Sequence, residues 1–385
     1  MSYPMISADG HIDLPCLPEH LFVEGAPEAL KERMPRVIEK GGERVWVSSR
    51  GQRLGLAGGM GSAGREYVPG EIHRADRMAE TGLYEDQRRG ILRPSVPELR
   101  IADQERDGVL GEVLYGILGA ANRLEDPDVT EAVVRIYNDF LAGFCAKAPE
   151  RFAGIACLPP RSPEEAGREV RRAAGLGLRG VELSMAHDMT PLWHADWEPM
   201  WEAAADCGIP VHVHTIGPKV DARWIRDRTT YRPWLATHIT GFQVTMSATI
   251  AAIIFGGALE RHSDLRVVIG EAGIGWMPYL LERMDYEWED QFKDLPLRMK
   301  PSEYWRRQMF ATFQVDEVGI ANLDRMGAET VMWGSDFPHP DGIWPDSREI
   351  VDRQLRDVSP ETRHKLVYEN AARLYGFPLE PRTQA

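Results

Sequence analysis

The sequence is short of cysteine, long apolar runs and clustered positive charge, and each shortage removes a class of function. Its 385 residues include four cysteines. Cys16, Cys145, Cys157 and Cys207 form no C-x-x-C pair, and most lie in apolar or helical surroundings, so they are expected as reduced core thiols rather than as a disulfide framework. No apolar stretch approaches the roughly 20 residues that span a bilayer. Met1 to Ile6 also lack the charged and apolar regions of a secretory signal. A cytoplasmic protein with no membrane partner is expected. With 45 Lys and Arg against 59 Asp and Glu, the formal net charge is -14. That balance argues against a nucleic-acid partner, whose phosphates need clustered cations. The arginines are scattered, and Arg93, Arg100, Arg106 and the Arg223 to Arg232 stretch are the places to look for a site receiving an anionic substrate tail.

What is present is an ordinary globular composition, 43% hydrophobic and 27% charged, with enough apolar residues for a sizeable core. Short Val- and Ile-rich runs alternate with stretches of helical period, the pattern of repeated βα units and a parallel sheet. Eight strands are predicted: Met5 to Ala8, Val109 to Tyr115, Phe152 to Leu158, Gly180 to Leu183, Pro210 to His214, Leu265 to Gly270, Met309 to Thr312 and Thr330 to Gly334. Helical patterns run over Asp128 to Ala148, Pro163 to Leu176, Trp197 to Cys207, Val244 to Arg261 and Ile274 to Phe292. The expected fold is a single (β/α)8 barrel over 1–385. Two stretches fit no tight βα unit. Residues 14–97 form an insertion after strand one, Gly-rich around Gly51 to Gly64, and 217–241 form a second after strand five. Both leave the C-terminal ends of strands, so they are expected to supply the substrate pocket and its lid.

Four strand ends carry chemistry. Asp9 and His11 stand two apart in Ala8-Asp9-Gly10-His11-Ile12-Asp13, a spacing that puts both on one face of a strand. D-x-H by itself is also what a strand-end turn with a capped histidine looks like. Val211-His212-Val213-His214 repeats the spacing. His214, nearer the following loop, is the better ligand, and His212 is either on the same face deeper in the barrel or a satisfied core histidine. Arg266-Val-Val-Ile-Gly-Glu271 delivers a carboxylate from a buried strand, where leaving it unpaired is costly. Val331-Met-Trp-Gly-Ser-Asp336-Phe-Pro-His339 ends in an aspartate placed as a metal ligand or as a base. In a barrel these ends converge on one axis, so Asp9, His11, His214, Glu271 and Asp336 are expected to share a metal site. His238 and His339 are expected to move protons beside it or to complete the shell, and His187 and His194, after strand four, are further approaches.

The four ends together resemble the amidohydrolase superfamily, in the branch called amidohydrolase 2, which includes relatives of aminocarboxymuconate semialdehyde decarboxylase. The resemblance extends to the closing Glu369-Asn370-Ala371-Ala372-Arg373-Leu374-Tyr375. It implies metal ligands at Asp9, His11, His214 and Asp336, and by analogy a homodimer. The chain departs from the branch in having Asp9 where His or Glu is usual, and Glu271 where many relatives have His. Glu182-Leu183-Ser184-Met185 stands where a carbamylated lysine would otherwise bridge two ions. Three carboxylates with two imidazoles suit iron or manganese at least as well as zinc. The Asp-x-His and Glu-Ala-Gly motifs also resemble the diiron monooxygenase of platensimycin and platencin biosynthesis. That resemblance implies two irons, O2, an electron donor and a polycyclic diterpenoid acid carried as a coenzyme A thioester. Tyr67, Trp224, Tyr231, Trp234 and Trp344 would then line an apolar pocket. The ligand balance places oxygenation ahead of the alternative, a hydrolase or non-oxidative decarboxylase of a carboxylated small molecule using one zinc or manganese.

Overall fold

A computed structural model of the chain describes residues 3–58, 67–186, 188–215 and 222–379. The chain opens with β1 (Ile6–His11), buried along its whole length. An antiparallel three-stranded sheet follows, β2 (Arg36–Lys40), β3 (Glu43–Val47) and β4 (Arg53–Leu56). Two helices, α1 (His73–Glu80) and α2 (Leu83–Arg88), complete the described part of this first insertion. Helix α3 (Pro97–Asp107) leads into β5 (Gly111–Tyr115) and α4 (Pro127–Cys145). The βα alternation continues through β6 (Phe152–Cys157), α5 (Pro163–Gly175), β7 (Gly180–Glu182), α6 (Glu198–Cys207) and β8 (Val211–His214). Helices α7 (Arg228–Gly241) and α8 (Met246–Phe255) precede β9 (Val267–Gly270). The chain finishes with α9 (Met277–Gln291), α10 (Pro301–Gln308), β10 (Met309–Phe313), β11 (Val331–Trp333), α11 (Ser347–Gln354) and α12 (Asn370–Tyr375).

The eight strands β1, β5, β6, β7, β8, β9, β10 and β11 pair in that order, each parallel to its neighbour. All eight overlap the segments expected from their apolar runs, and six lie wholly within them; β1 runs on past Ala8 to His11 and β10 past Thr312 to Phe313. Strands covered by helices on one side and by core on the other bury both faces, which is why they read as near-continuous Val and Ile. The barrel closes where β1 meets the residues just beyond β11. Asp336 N–H donates to Asp9 O at 2.9 Å and His11 N–H to Phe337 O at 2.8 Å. Helix starts follow local chemistry: Asp126 and Ser162 accept from the backbone N–H of Val129 and Glu165, each with proline next in the chain.

Two expectations change in detail. The pattern over Val244 to Arg261 yields two helices rather than one, because Gly257 adopts φ +75° and turns the chain before Ala258–Arg261. The second insertion, of which 216–221 lie outside the described residues, contains the 14-residue α7, capped by Asp227 and Thr230. That helix buries none of its residues, so it carries no apolar stripe for a sequence reading to detect. No described helix is by itself long and apolar enough to cross a membrane. All four cysteines are free.

The first insertion packs on the loop that follows β11. Ala75, Met78, Leu83 and Tyr84 form one buried cluster with Phe337 and Trp344, and Tyr67 lies against it. Arg77 adds a two-pronged bond to Asp346, at 2.9 and 2.8 Å. Trp344 and Tyr67 therefore serve the insertion's core rather than an open pocket. Trp224 is 73% exposed, and Tyr231 and Trp234 stack on one another on α7.

Candidate metal centre

Four of the five expected ligands meet at the barrel mouth around Asp9. Its Oδ1 lies 3.2 Å from His11 Nε2 and 3.4 Å from His214 Nε2. Its Oδ2 accepts from Thr312 Oγ1 at 3.0 Å and from the Glu271 backbone N–H at 3.1 Å. His11 Nε2 is also 3.0 Å from Asp336 Oδ1. His214 Nδ1 lies 2.7 Å from Thr215 O, a carbonyl that can only accept. Nδ1 therefore carries a proton, and Nε2, which faces Asp9 and His11, is the nitrogen left to bind an ion or a second proton.

Two groups of ligand atoms come close enough to share an ion: Asp9, His11 and His214, and His11, Asp336 and His339. His339 stacks on His11 with ring centroids 3.9 Å apart. It sits between two carboxylates, with Nδ1 2.8 Å from Asp336 Oδ1 and Nε2 2.8 Å from Asp13 Oδ2. Glu271 stands beside these groups and belongs to neither. Its Oε2 is 3.8 Å from His214 Nε2 and accepts from Thr215 Oγ1 at 3.2 Å.

Backbone geometry marks the same place. Among the described residues the non-glycine positive φ values are Glu271 at 50° and Asp336 at 59°. The left-handed region costs an ordinary residue roughly 1–2 kcal/mol, and such strain gathers where function requires it. Here it is held by bonds already named, from Glu271 N–H to Asp9 and from Asp336 N–H to Asp9 O.

Electrostatics and unmet bonding both fit a cation. Burial alone would push the Asp9 carboxyl up, yet His214 and His11 beside it hold it well below the usual carboxylate range. Burial opposes a charge on His214, but Asp9 and then Glu271 raise it to about 9. Burial likewise opposes a charge on His339, which Asp336 and Asp13 drive well above an ordinary imidazole. Glu271 is pushed up by burial and by Asp336. Asp336 Oδ2 has no hydrogen-bond partner, and buried His11 Nδ1 and Nε2, Asp13 Oδ1 and Asp336 Oδ1 have only the ion-pair contacts of the cluster, none of them a well-formed hydrogen bond. Each such orphan costs roughly 1–3 kcal/mol, more when charged. Several in one place are what a metal's ligand set looks like before the metal is considered.

The remaining expected residues fall elsewhere. His212 lies deeper, its Nδ1 2.7 Å from Tyr115 Oη, and burial with His214 nearby lowers it to about 3. His238 is half-buried on α7 with its ring against Trp234, and it belongs to neither ligand group. His194 is exposed and accepts from the Asp196 backbone N–H, and His187 lies outside the described residues. Arg100 is fully buried against Glu112 and Arg93 against Asp103, so neither is free to meet a substrate tail. Asp13, Thr312 and Tyr115 escaped the sequence reading. Asp13 had the better signal, one more carboxylate two residues beyond His11. Glu182, at the end of β7, is fully buried and lifted by that burial to about 7, with Ser184 Oγ donating to both of its oxygens at 2.7 and 2.9 Å.

Known proteins resemble the chain in both sequence and fold. The gamma-resorcylate decarboxylase of Rhodococcus jostii is 29% identical over 264 residues, 63% of this chain and 76% of that protein. The 2-amino-3-carboxymuconate-6-semialdehyde decarboxylase of Dictyostelium discoideum is 26% identical over 294 residues, 73% of this chain and 77% of its own. Among solved structures, an amidohydrolase of Mycobacterium avium subsp. paratuberculosis superposes with a TM-score of 0.73 at 18% identity, covering 98% of this chain and 100% of that one. The 5-carboxyvanillate decarboxylase of Novosphingobium aromaticivorans, solved with bound manganese, gives 0.67 at 20% identity and covers 97% of each chain.

These findings overturn the oxygenase reading. The relatives are decarboxylases, and nothing among them supports a monooxygenase, an oxidoreductase of antibiotic biosynthesis, an iron pair, a coenzyme A thioester, O2 or an electron donor. The physical reason lies in the geometry. The expectation counted Glu271 to reach three carboxylates, but each converging group holds two imidazoles and one carboxylate. A model of the amidohydrolase family, the one the sequence motifs pointed to, matches residues 96–377, and the chain belongs to that family.

Proposed function

We propose that the protein is a metal-dependent, non-oxidative decarboxylase of a hydroxylated aromatic carboxylate. The observation that carries this reading is the buried cluster of Asp9, His11, His214, Asp336 and His339, with its orphaned lone pairs, in a chain whose curated relatives are decarboxylases. The reaction replaces carboxylate by hydrogen: the bond from ring carbon to carboxyl carbon breaks, CO2 leaves, and a proton takes its place on the ring. No oxidant or reductant enters the balance.

Asp9, His11, His214 and Asp336 would hold one divalent ion. Manganese is favoured, because related decarboxylase structures contain it and because mixed imidazole and carboxylate ligands suit it. When bound, the ion supplies Lewis acidity that draws the substrate's carboxylate and its neighbouring hydroxyl into place. Thr312 and the Glu271 backbone N–H keep Asp9 oriented, and the Thr215 carbonyl keeps the His214 Nε2 lone pair available. Asp13, His339 and Asp336 form a chain in which His339 holds a proton between two carboxylates, and that chain delivers the proton to the ring.

The test is CO2 release from 2,6-dihydroxybenzoate and 5-carboxyvanillate by manganese-loaded protein, with and without air and with chelator. Equal rates with and without air, together with loss of turnover under chelation, are expected. Turnover that requires O2, or that survives complete metal removal, overturns the reading.

A further inference from the structure

The seam between β1 and β11 differs from the other joints of the barrel. Neighbouring strands elsewhere share ladders, that of β1 and β5 with a register shift between Ser7 and Gly10, whereas β1 and the β11 exit meet through an isolated bridge, Gly10 to Phe337. Asp9 and His11 leave one side of this seam and Asp336 the other, so the spacing of the ligands depends on how the seam is held.

Behind it, between the barrel wall and α3, lies a buried charged pair. Arg100 from α3 donates from Nε to Glu112 Oε2 at 2.7 Å and from Nη2 to Glu112 Oε1 at 3.0 Å. Its remaining donors reach three backbone carbonyls: Nη1 to His11 O at 2.7 Å and to Pro94 O at 3.1 Å, and Nη2 to Phe337 O at 3.4 Å. The guanidinium also lies 5.0 Å from the centre of the Phe337 ring. Gln104 Nε2 donates to Glu112 Oε2 at 2.7 Å and fixes the carboxylate in turn.

We propose that Arg100 is a positioning residue of the metal site: its buried guanidinium, anchored by Glu112, ties the backbone of His11 to that of Phe337 and so sets the spacing of His11 and Asp336. A buried ion pair is seldom the most stable filling of a space, since well-packed apolar side chains do as well or better. What Arg100 adds is direction, because its planar fork aims fixed donors at segments far apart in the chain. The glycine of Asp9-Gly10-His11 fits the same account. A Cβ on Gly10 would lie 3.0 Å from both Arg100 Nη2 and Glu112 Oε1, so even alanine would displace the pair.

The inference rests on the proposed metal site, and the experiment separates the two. Manganese affinity is measured by calorimetry on metal-free, full-length protein, with thermal midpoints recorded alongside. Wild-type protein that fails to bind manganese overturns the metal reading before any variant is made, and this inference with it. Given wild-type binding, Arg100→Gln is expected to weaken affinity about 10- to 100-fold, the range for partners that orient ligands. Arg100→Lys is expected to recover only part of it. Gly10→Ala, which leaves every charge in place, is expected to weaken affinity by about 3- to 10-fold, below that range. Gln308→Ala is the control for plain destabilisation. Gln308 is fully buried and bonds the His262 and Leu265 carbonyls ahead of β9, at the opposite end of the strands, so its loss should lower the midpoint and leave affinity unchanged. Wild-type affinity in folded Arg100→Gln overturns the proposal, and if that variant does not fold, wild-type affinity in Gly10→Ala does the same.

Discussion

Asp9 and His11 stand two residues apart on one strand, and so do His212 and His214, yet the two pairs come to different ends. Both members of the first reach the cluster, with 3.2 Å between His11 Nε2 and Asp9 Oδ1. In the second only His214 does, while His212 turns to Tyr115. Alternate residues of a straight strand share a face but lie about 6.6 Å apart along it, twice the rise per residue. β8 keeps a regular register against β9 from Val211 to His214, so its lower histidine falls a layer deeper. β1 shifts register between Ser7 and Gly10, and the irregularity lets two alternate side chains converge. Shared face and shared site are separate conditions, and the second needs a bent strand.

The comparison breaks most readily at His214. His214→Ala should lower manganese affinity by more than about 100-fold, beyond the usual cost of losing an orienting partner, and abolish turnover. His212→Asn should leave affinity within a few fold. Equal losses from the two, measured as metal content after dialysis, would mean that the layers are not separate.

A smaller effect is expected one step out from Asp9. Thr312→Val deletes the hydroxyl that donates to Asp9 Oδ2 and should reduce metal affinity by about 10- to 100-fold while the fold survives. Unchanged affinity would show that the other contacts of Asp9 suffice to hold it.

The last effect is on stability and separates the two histidines of β8 by pH. His212 is held at about 3 in the folded protein, against about 6.5 in an unfolded chain. Below about pH 6.5 the unfolded state then binds more protons than the folded one, so stability falls with falling pH and levels off near pH 3. His212→Asn should flatten that part of a denaturation series on metal-free protein. An unaltered slope would place the acid sensitivity in other groups.

Much of the architecture was legible because burial on both faces writes parallel strands as apolar runs, and all eight could be located from them. Ligand-type side chains at four strand ends were legible for a related reason: Asp, Glu or His directly after such a run has few purely structural uses. α7 was not legible, since a helix without a buried face leaves no period. Asp13, Thr312 and Tyr115 were passed over because their partners are 326, 303 and 97 residues away in the chain, where spacing carries no information. His238 was set beside the site on residue type alone, and the fold puts it on an exposed helix. The oxygenase reading failed because residue types were counted without regard to which of them meet.

By itself the sequence determined the barrel, the strand ends that carry polar residues and the presence there of side chains of the types that can ligate a metal. All three follow from local patterning of apolar and polar side chains. Only the tertiary structure decided which ligand atoms converge, that Glu271 stands beside the groups rather than within them, and that Arg100 and Glu112 close the seam from behind. Those outcomes depend on distances of a few ångströms between segments hundreds of residues apart, and strand register, a bulge and the barrel's closure set them together.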